Sequence, residues 1–153
     1  MHKNTLPNLS LYIKDKLGIE HTLRTDDYQF YIQKKGSPFY AGLKQIFDEH
    51  GEKALEDILD SFVDYLFVRC EKNISDGDAG IRRNFALDGQ TPFQIDIGQF
   101  SYDASFISLE AQKKHILFFT RGFHKWLEQL SPSLAHHLSE RIENRKEPCE
   151  ESL

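Results

Sequence analysis

The sequence predicts an α+β protein that is mostly helical, and three observations predict it. Two long stretches, Glu52–Lys72 and Leu109–Leu130, repeat apolar residues at intervals of three and four. A short stretch from Phe85 to Ile95 sets strand formers on either side of an Asp88-Gly89 turn dipeptide. A separate run of strand formers occupies Tyr28–Gln33. The 153 residues fit one domain and suffice to bury a core, for which twelve phenylalanines and six tyrosines supply bulky material.

Residues 1–8 are polar and expected to fray. Leu9, Tyr12, Ile13, Lys16 and Leu17 recur at helical spacing, which predicts a short helix over Asn8–Leu17 stopped by Gly18. His21–Asp27 reads as loop. Tyr28–Gln33, bounded by Asp26-Asp27 and by Gly36-Ser37-Pro38, reads as a strand leading into a bend. Phe39–His50 is a modest helix with Leu43, Ile46 and Phe47 on one face and Gly51 as its stop.

In Glu52–Lys72, the residues Leu55, Ile58, Leu59, Phe62, Val63, Leu66 and Cys70 form a wide apolar stripe, while Glu56, Asp57 and Asp60 face outward. Each fully buried member of such a stripe stabilises by roughly 1.5–3 kcal/mol. Gln99–Ser105 reads as polar and aromatic loop. Leu109–Leu130 steps through Ile116, Phe119, Phe123, Trp126, Leu127 and Leu130. Gly122 within it costs about 1 kcal/mol relative to Ala and is expected to permit close packing. Ser131-Pro132 opens the last helix, the serine as cap and the proline at the first helical position, with Leu134, Leu138 and Ile142 buried. His136 and His137 are expected at the surface. From Asn144 the chain is polar, and residues 146–153 are expected to be a disordered tail.

A net charge of −5 and a pI near 5.8 argue against a duplex nucleic-acid binder. Basic residues cluster only in pairs, Lys34-Lys35, Arg82-Arg83 and Lys113-Lys114. Cys70 and Cys149 make neither a disulfide framework nor a metal motif, which suits a reducing, cytoplasmic setting. The first residues show no secretory signal, and no apolar run approaches the ~20 residues a membrane span needs. His115 and His124 are nine apart and do not share a helix face as metal ligands would.

The chemistry concentrates in Ile74–Phe100, ISDGDAGIRRNFALDGQTPFQIDIGQF. Asp76 and Asp78 stand in a Gly-containing loop, Asn84 precedes the first short strand, and Asp96 and Gly98 follow the second. Pairing of the two strands brings Asn84 and Asp96 close, with Asp76 or Asp78 alongside, an oxygen set suited to a hard divalent cation and a phosphate. Taken singly, each aspartate also fits simple turn chemistry, its side chain bonding the backbone two residues on. An EF-hand is excluded, because Gly80 and Leu87 stand where acidic ligands belong.

With these residues in view, Gln29–Phe100 resembles the catalytic-loop-to-metal-loop region of the protein-kinase-like phosphotransferase fold. Asn84 matches that family's metal-holding Asn, Ile95-Asp96-Ile97-Gly98 its Asp-x-Gly element, and Asp78 its base. No His-Arg precedes Asp78, no catalytic-loop Lys follows it, and Asp78 lies six residues before Asn84, one more than the family spacing. The resemblance implies a single partial kinase-like domain over 1–145, a large lobe with a short β-hairpin and only a remnant of the small lobe. It implies Mg²⁺ on Asn84 and Asp96, ATP phosphates near Asn84, Arg82 and Arg83, and Asp78 as the catalytic base. No Gly-x-Gly-x-x-Gly and no strand lysine is present, so the expected protein is a degenerate kinase-like one, a pseudokinase that binds metal and nucleotide phosphate without efficient phosphoryl transfer. Two alternatives stand beside it. One is a helical module that meets a protein partner through amphipathic helices and has no nucleotide site. The other is an active minimal phosphotransferase.

Overall fold

The computed structural model describes residues 10–24 and 33–146. The chain divides into two compact units, residues 1–34 and 35–153.

In the first unit, β1 (Ser10–Lys14) and β2 (Glu20–Arg24) form an antiparallel hairpin in register from Ser10 opposite Arg24 to Lys14 opposite Glu20. Over the described residues this corrects the helix expected over Asn8–Leu17 and, at His21–Arg24, the loop expected over His21–Asp27. The turn explains the difference. Asp15 Oδ1 accepts the Leu17 and Ile19 amides at 2.8 and 2.9 Å, and Gly18 takes φ +82°. His21 Nε2 lies 3.0 Å from Asp15 Oδ2, and this contact, ahead of the Ile19 amide, holds the Asp15 carboxyl below its usual range. The strand expected over Tyr28–Gln33 falls, but for Gln33, outside the described residues.

The second unit is α+β and mostly helical. β3 (Ser37–Pro38) runs into α1 (Phe39–His50), and α2 (Glu52–Glu71) follows after Gly51, which stops α1 at φ +76°. Next come β4 (Ile74–Asp76), the single turn α3 (Ile81–Asn84), β5 (Phe85–Asp88), β6 (Thr91–Gln94) and β7 (Phe100–Tyr102). The long α4 (Leu109–Leu130) and α5 (Pro132–Glu143) close the fold. The four long helices fall where the apolar periodicity predicts them, and all seven residues of the α2 stripe are buried. Ser131 accepts the Leu134 amide and also bonds Glu52, so the α5 cap is tied to the start of α2. Among the described residues no helix is long and apolar enough to cross a membrane.

The unit has two small antiparallel sheets. One sheet has the order β3-β5-β6, with β5 and β6 joined through Gly89 at φ +60°. The other pairs β4 with β7, Ile74 opposite Tyr102 and Asp76 opposite Phe100. The loop expected over Gln99–Ser105 is therefore partly strand, a pairing between segments 26 residues apart that local sequence does not encode.

The core is aromatic at its centre. Phe39 of α1, Phe62 of α2, Phe85 of β5 and Phe123 of α4 meet, with Phe62 centroids 5.2, 5.1 and 5.5 Å from the other three. This cluster pins the start of β5 against three helices, and Asn84 immediately precedes it. Outside the core, α5 is bound to α2 by charge. His137 lies 2.9 Å from Asp60, Arg141 2.9 Å from Asp64 and Arg145 2.7 Å from Asp64. His137 is thus a partner of α2, and Arg145, just past α5, pairs with Asp64 and Glu71 of the same helix. Gly122, expected to allow close packing, faces open space.

His115 of α4 is half-buried between the Phe106 and Phe119 rings, and its Nε2 has no hydrogen-bond partner. Burial, then the Arg69 charge, push its pKa below 6.5, against the opposing pull of Asp103 and Asp76. The native state therefore holds this ring neutral while the unfolded state takes up a proton. Stability from this group is present above the unfolded pKa and is lost as pH falls through and below about 6.5. Denaturant unfolding at pH 7 and pH 5.5 is expected to show a smaller loss for His115→Phe than for the parent. An equal loss in the two proteins would remove His115 from the pH response.

Candidate functional site

The two ladders bracket two loops. At one end Asp76 pairs with Phe100 and the Gly77 amide donates to the Gln99 carbonyl at 3.1 Å. At the other, Phe85 pairs with Gln94 and the Ile95 amide donates to the Asn84 carbonyl at 2.7 Å. The segments 77–84 and 95–99 therefore run side by side, each fastened to the other at both ends. Asn84 and Asp96, twelve residues apart in sequence, become near neighbours across this frame.

All three aspartates make turns of the i to i+2 kind. Asp76 Oδ1 accepts the Asp78 amide at 3.0 Å, Asp78 Oδ1 the Gly80 amide at 2.9 Å, and Asp96 Oδ1 the Gly98 amide at 2.9 Å. Their second oxygens differ. Asp76 Oδ2 is buried and accepts Gln94 Nε2 at 2.6 Å, with Arg69 Nη1 at 3.6 Å. Asp78 Oδ2 meets Arg83 Nη2 at 3.3 Å. Asp96 Oδ2 has no hydrogen-bond or ion-pair partner among the described residues, and Asp96 is exposed.

Asn84 is 2% exposed and donates through Nδ2 to the Asp78 carbonyl at 3.1 Å. Its Oδ1 accepts no hydrogen bond among the described residues. The Asn84 carboxamide first, then the Gly80 amide and the Arg83 guanidinium, hold the Asp78 carboxyl below the ordinary carboxylate range. Asp78 is thus a stable anion, suited to accept a hydrogen bond from a hydroxyl and weak as a proton sink. A Cβ at Gly80 would lie 2.7 Å from Asp78 Oδ1 and 2.9 Å from Arg83 Nη2, so any larger residue there must displace these two side-chain ends.

The arginine pair separates. Arg83 turns back to Asp78, whereas Arg82 lies with its guanidinium 5.8 Å from the Tyr40 ring centre, beside α1. They do not act as one clamp.

Two residues at the centre of the arrangement carry no motif. Gln94 Oε1 accepts Tyr65 Oη at 3.1 Å and Arg69 Nη1 at 3.2 Å, while its Nε2 donates to Asp76 Oδ2 and to the Asp96 carbonyl at 2.6 and 3.0 Å. Every hydrogen-bonding position of the amide is filled, so it joins α2, β4 and the Asp96 loop. Arg69 is 4% exposed, packed with its guanidinium 4.5 Å from the Phe119 ring centre and 5.8 Å from that of Phe100. The signal for Arg69 was present, since it sits three residues after Leu66 on the apolar face of α2. Gln94 stands between Phe93 and Ile95 with nothing to mark it.

Among the described residues no three His, Cys, Asp or Glu side chains gather as a metal cage. Of the two residues expected to hold a metal, buried Asn84 leaves its Oδ1 and exposed Asp96 its Oδ2 without a hydrogen-bond partner among the described residues. No protein-family model matches the chain, and neither a curated protein nor a solved structure matches it significantly.

Proposed function

We propose that this protein is a degenerate kinase-like protein that holds a divalent cation and a nucleotide phosphate between Asn84 and Asp96 without efficient phosphoryl transfer. The observation that supports it is the paired-loop frame, in which the Asn84 carbonyl bonds the Ile95 amide while Asn84 Oδ1 and Asp96 Oδ2 keep unused lone pairs. Bound there, Mg²⁺ would neutralise phosphate charge. The chain's own groups do the rest: Gln94 fixes the Asp96 loop through its carbonyl, and the Phe85 contacts fix Asn84. Weak transfer follows from Asp78 being held by Arg83 and from the lack of a Gly-rich phosphate loop and strand lysine in this sequence. A reducing cytosol is the compartment that fits this reading.

Two further readings have specific support. The outer face of α4 leaves Phe118 60% exposed, which favours a helical interaction module. The anionic Asp78 beside Asn84 favours an active minimal phosphotransferase.

Thermal unfolding with and without MgATP separates them. The expected result is a rise in Tm with MgATP that disappears in Asp96→Ala, an exposed substitution that leaves the fold intact. An unchanged Tm in the parent removes the nucleotide reading and leaves the interaction module. Phosphate transfer that vanishes in Asp78→Asn would select the active enzyme instead.

A further inference from the structure

A cleft of about 600 Å³ opens beside α1, walled by Tyr40 and Lys44, by Trp126 of α4 and by Arg82 of α3. Its floor is aromatic. The Tyr40 and Trp126 rings lie 4.5 Å apart with 32° between their planes, and Phe123 backs both at 5.3 and 5.8 Å. Its charges are unequally satisfied. Lys44 is paired with Asp48 at 2.7 Å, while Glu49, also in the lining, keeps its charge and accepts the neutral Gln45 amide at 2.9 Å, each within α1. Arg82 has no hydrogen-bond or carboxylate partner among the described residues, and its guanidinium lies over the Tyr40 ring.

A planar ring surface beside an uncompensated guanidinium fork is complementary to one kind of ligand. An aromatic face gives stacking area, and arginine matches the paired oxygens of a phosphate or carboxylate. A neutral ring would leave the Arg82 charge unanswered, and a bare oxyanion would leave the Tyr40 and Trp126 faces wet. We propose that this cleft binds a small planar anion, an aromatic ring bearing a phosphate or carboxylate, with the ring on Tyr40 and Trp126 and the oxyanion on Arg82. The cleft takes Arg82 from the 77–84 segment but is lined by neither Asn84 nor Asp96, and the proposal stands whether or not those two hold a metal.

Trp126 is the only tryptophan of the chain, so its emission reports on this cleft alone. The test titrates the full chain with phenyl phosphate, phenol and inorganic phosphate at constant ionic strength, following Trp126 emission and, in parallel, calorimetric heat. Phenyl phosphate is expected to give a saturable response, with phenol and inorganic phosphate each at least tenfold weaker. Arg82→Gln is expected to weaken phenyl phosphate at least tenfold with an unchanged circular dichroism spectrum. Asp96→Ala is expected to bind it as the parent does. Absence of saturation in both readouts up to ~10 mM overturns the proposal, as does equal binding of phenol or an undiminished affinity in Arg82→Gln. Loss of binding in Asp96→Ala as well would place the anion at the paired loops and overturn the cleft.

Discussion

Asp76→Ala is expected to destabilise the protein by about 3–5 kcal/mol, the cost of leaving a buried charge without its partner. Arg69 and Asp76 have side chains only 3% and 1% exposed, and their closest approach is 3.6 Å. The tighter links run through Gln94, which accepts from Arg69 at 3.2 Å and donates to Asp76 at 2.6 Å. Removing the carboxylate takes one of the two acceptors from Gln94 Nε2 and the side-chain acceptor from the Asp78 amide, and it strands a guanidinium whose Nε and Nη2 already lack hydrogen-bond partners. Arg69→Met, which fills the slot between Phe100 and Phe119 with an apolar chain, is expected to cost less when combined with Asp76→Asn than the two single losses summed. Urea denaturation of the parent, Arg69→Met, Asp76→Asn and the double variant measures the cycle, and Asp76→Ala is unfolded alongside them. A loss under about 1 kcal/mol for Asp76→Ala would show that the ion pair is not essential to the frame.

Phe62→Ala is expected to cost about 3–5 kcal/mol, as for other buried phenylalanines. Phe62 is fully buried and touches the rings of Phe39, Phe85 and Phe123, so its loss opens a cavity at the one point where α1, α2, β5 and α4 converge. The effect has a functional side. Phe85 directly follows Asn84, and if the proposed cation site holds MgATP, a loosened Phe85 is expected to abolish that stabilisation even where the variant remains folded. Phe62→Leu keeps most of the volume and is expected to retain it. Equal stability of Phe62→Ala and the parent in urea would contradict the packing account.

What the sequence made legible follows from how local each signal is. The α1 and α2 boundaries turn on Gly51, and those of α4 and α5 on Ser131-Pro132, cues that act within one helical turn of themselves. The β5–β6 hairpin was readable because Asp88-Gly89 specifies its own turn. The β1–β2 hairpin was not. Leu9, Tyr12, Ile13 and Leu17 fit helical spacing, yet Leu11 and Ile13 fit strand alternation equally well, and a window this short cannot choose. The choice was made by cross-strand pairing and by the Asp15 side chain capturing two amides of the turn.

At the candidate site the separate residues were legible and their assignments were not. Asp76 reads as a loop carboxylate and is a buried partner of Arg69. Arg82 and Arg83 read as a phosphate pair and face different neighbours. The three-residue ladder of β4 and β7 and the four bonds of Gln94 arise from tertiary closure, which no spacing rule expresses.

The paired-loop cation site is tested most directly by adding Mn²⁺ and ATP to the ¹⁵N-labelled protein and recording amide line broadening. The account predicts paramagnetic broadening centred on Asn84, Phe85 and Asp96–Gly98, absent from α5, and lost in Asp96→Ala. Broadening scattered over exposed carboxylates such as Asp48 and Glu110, with the amides of Asn84 and Asp96 left sharp, would contradict it.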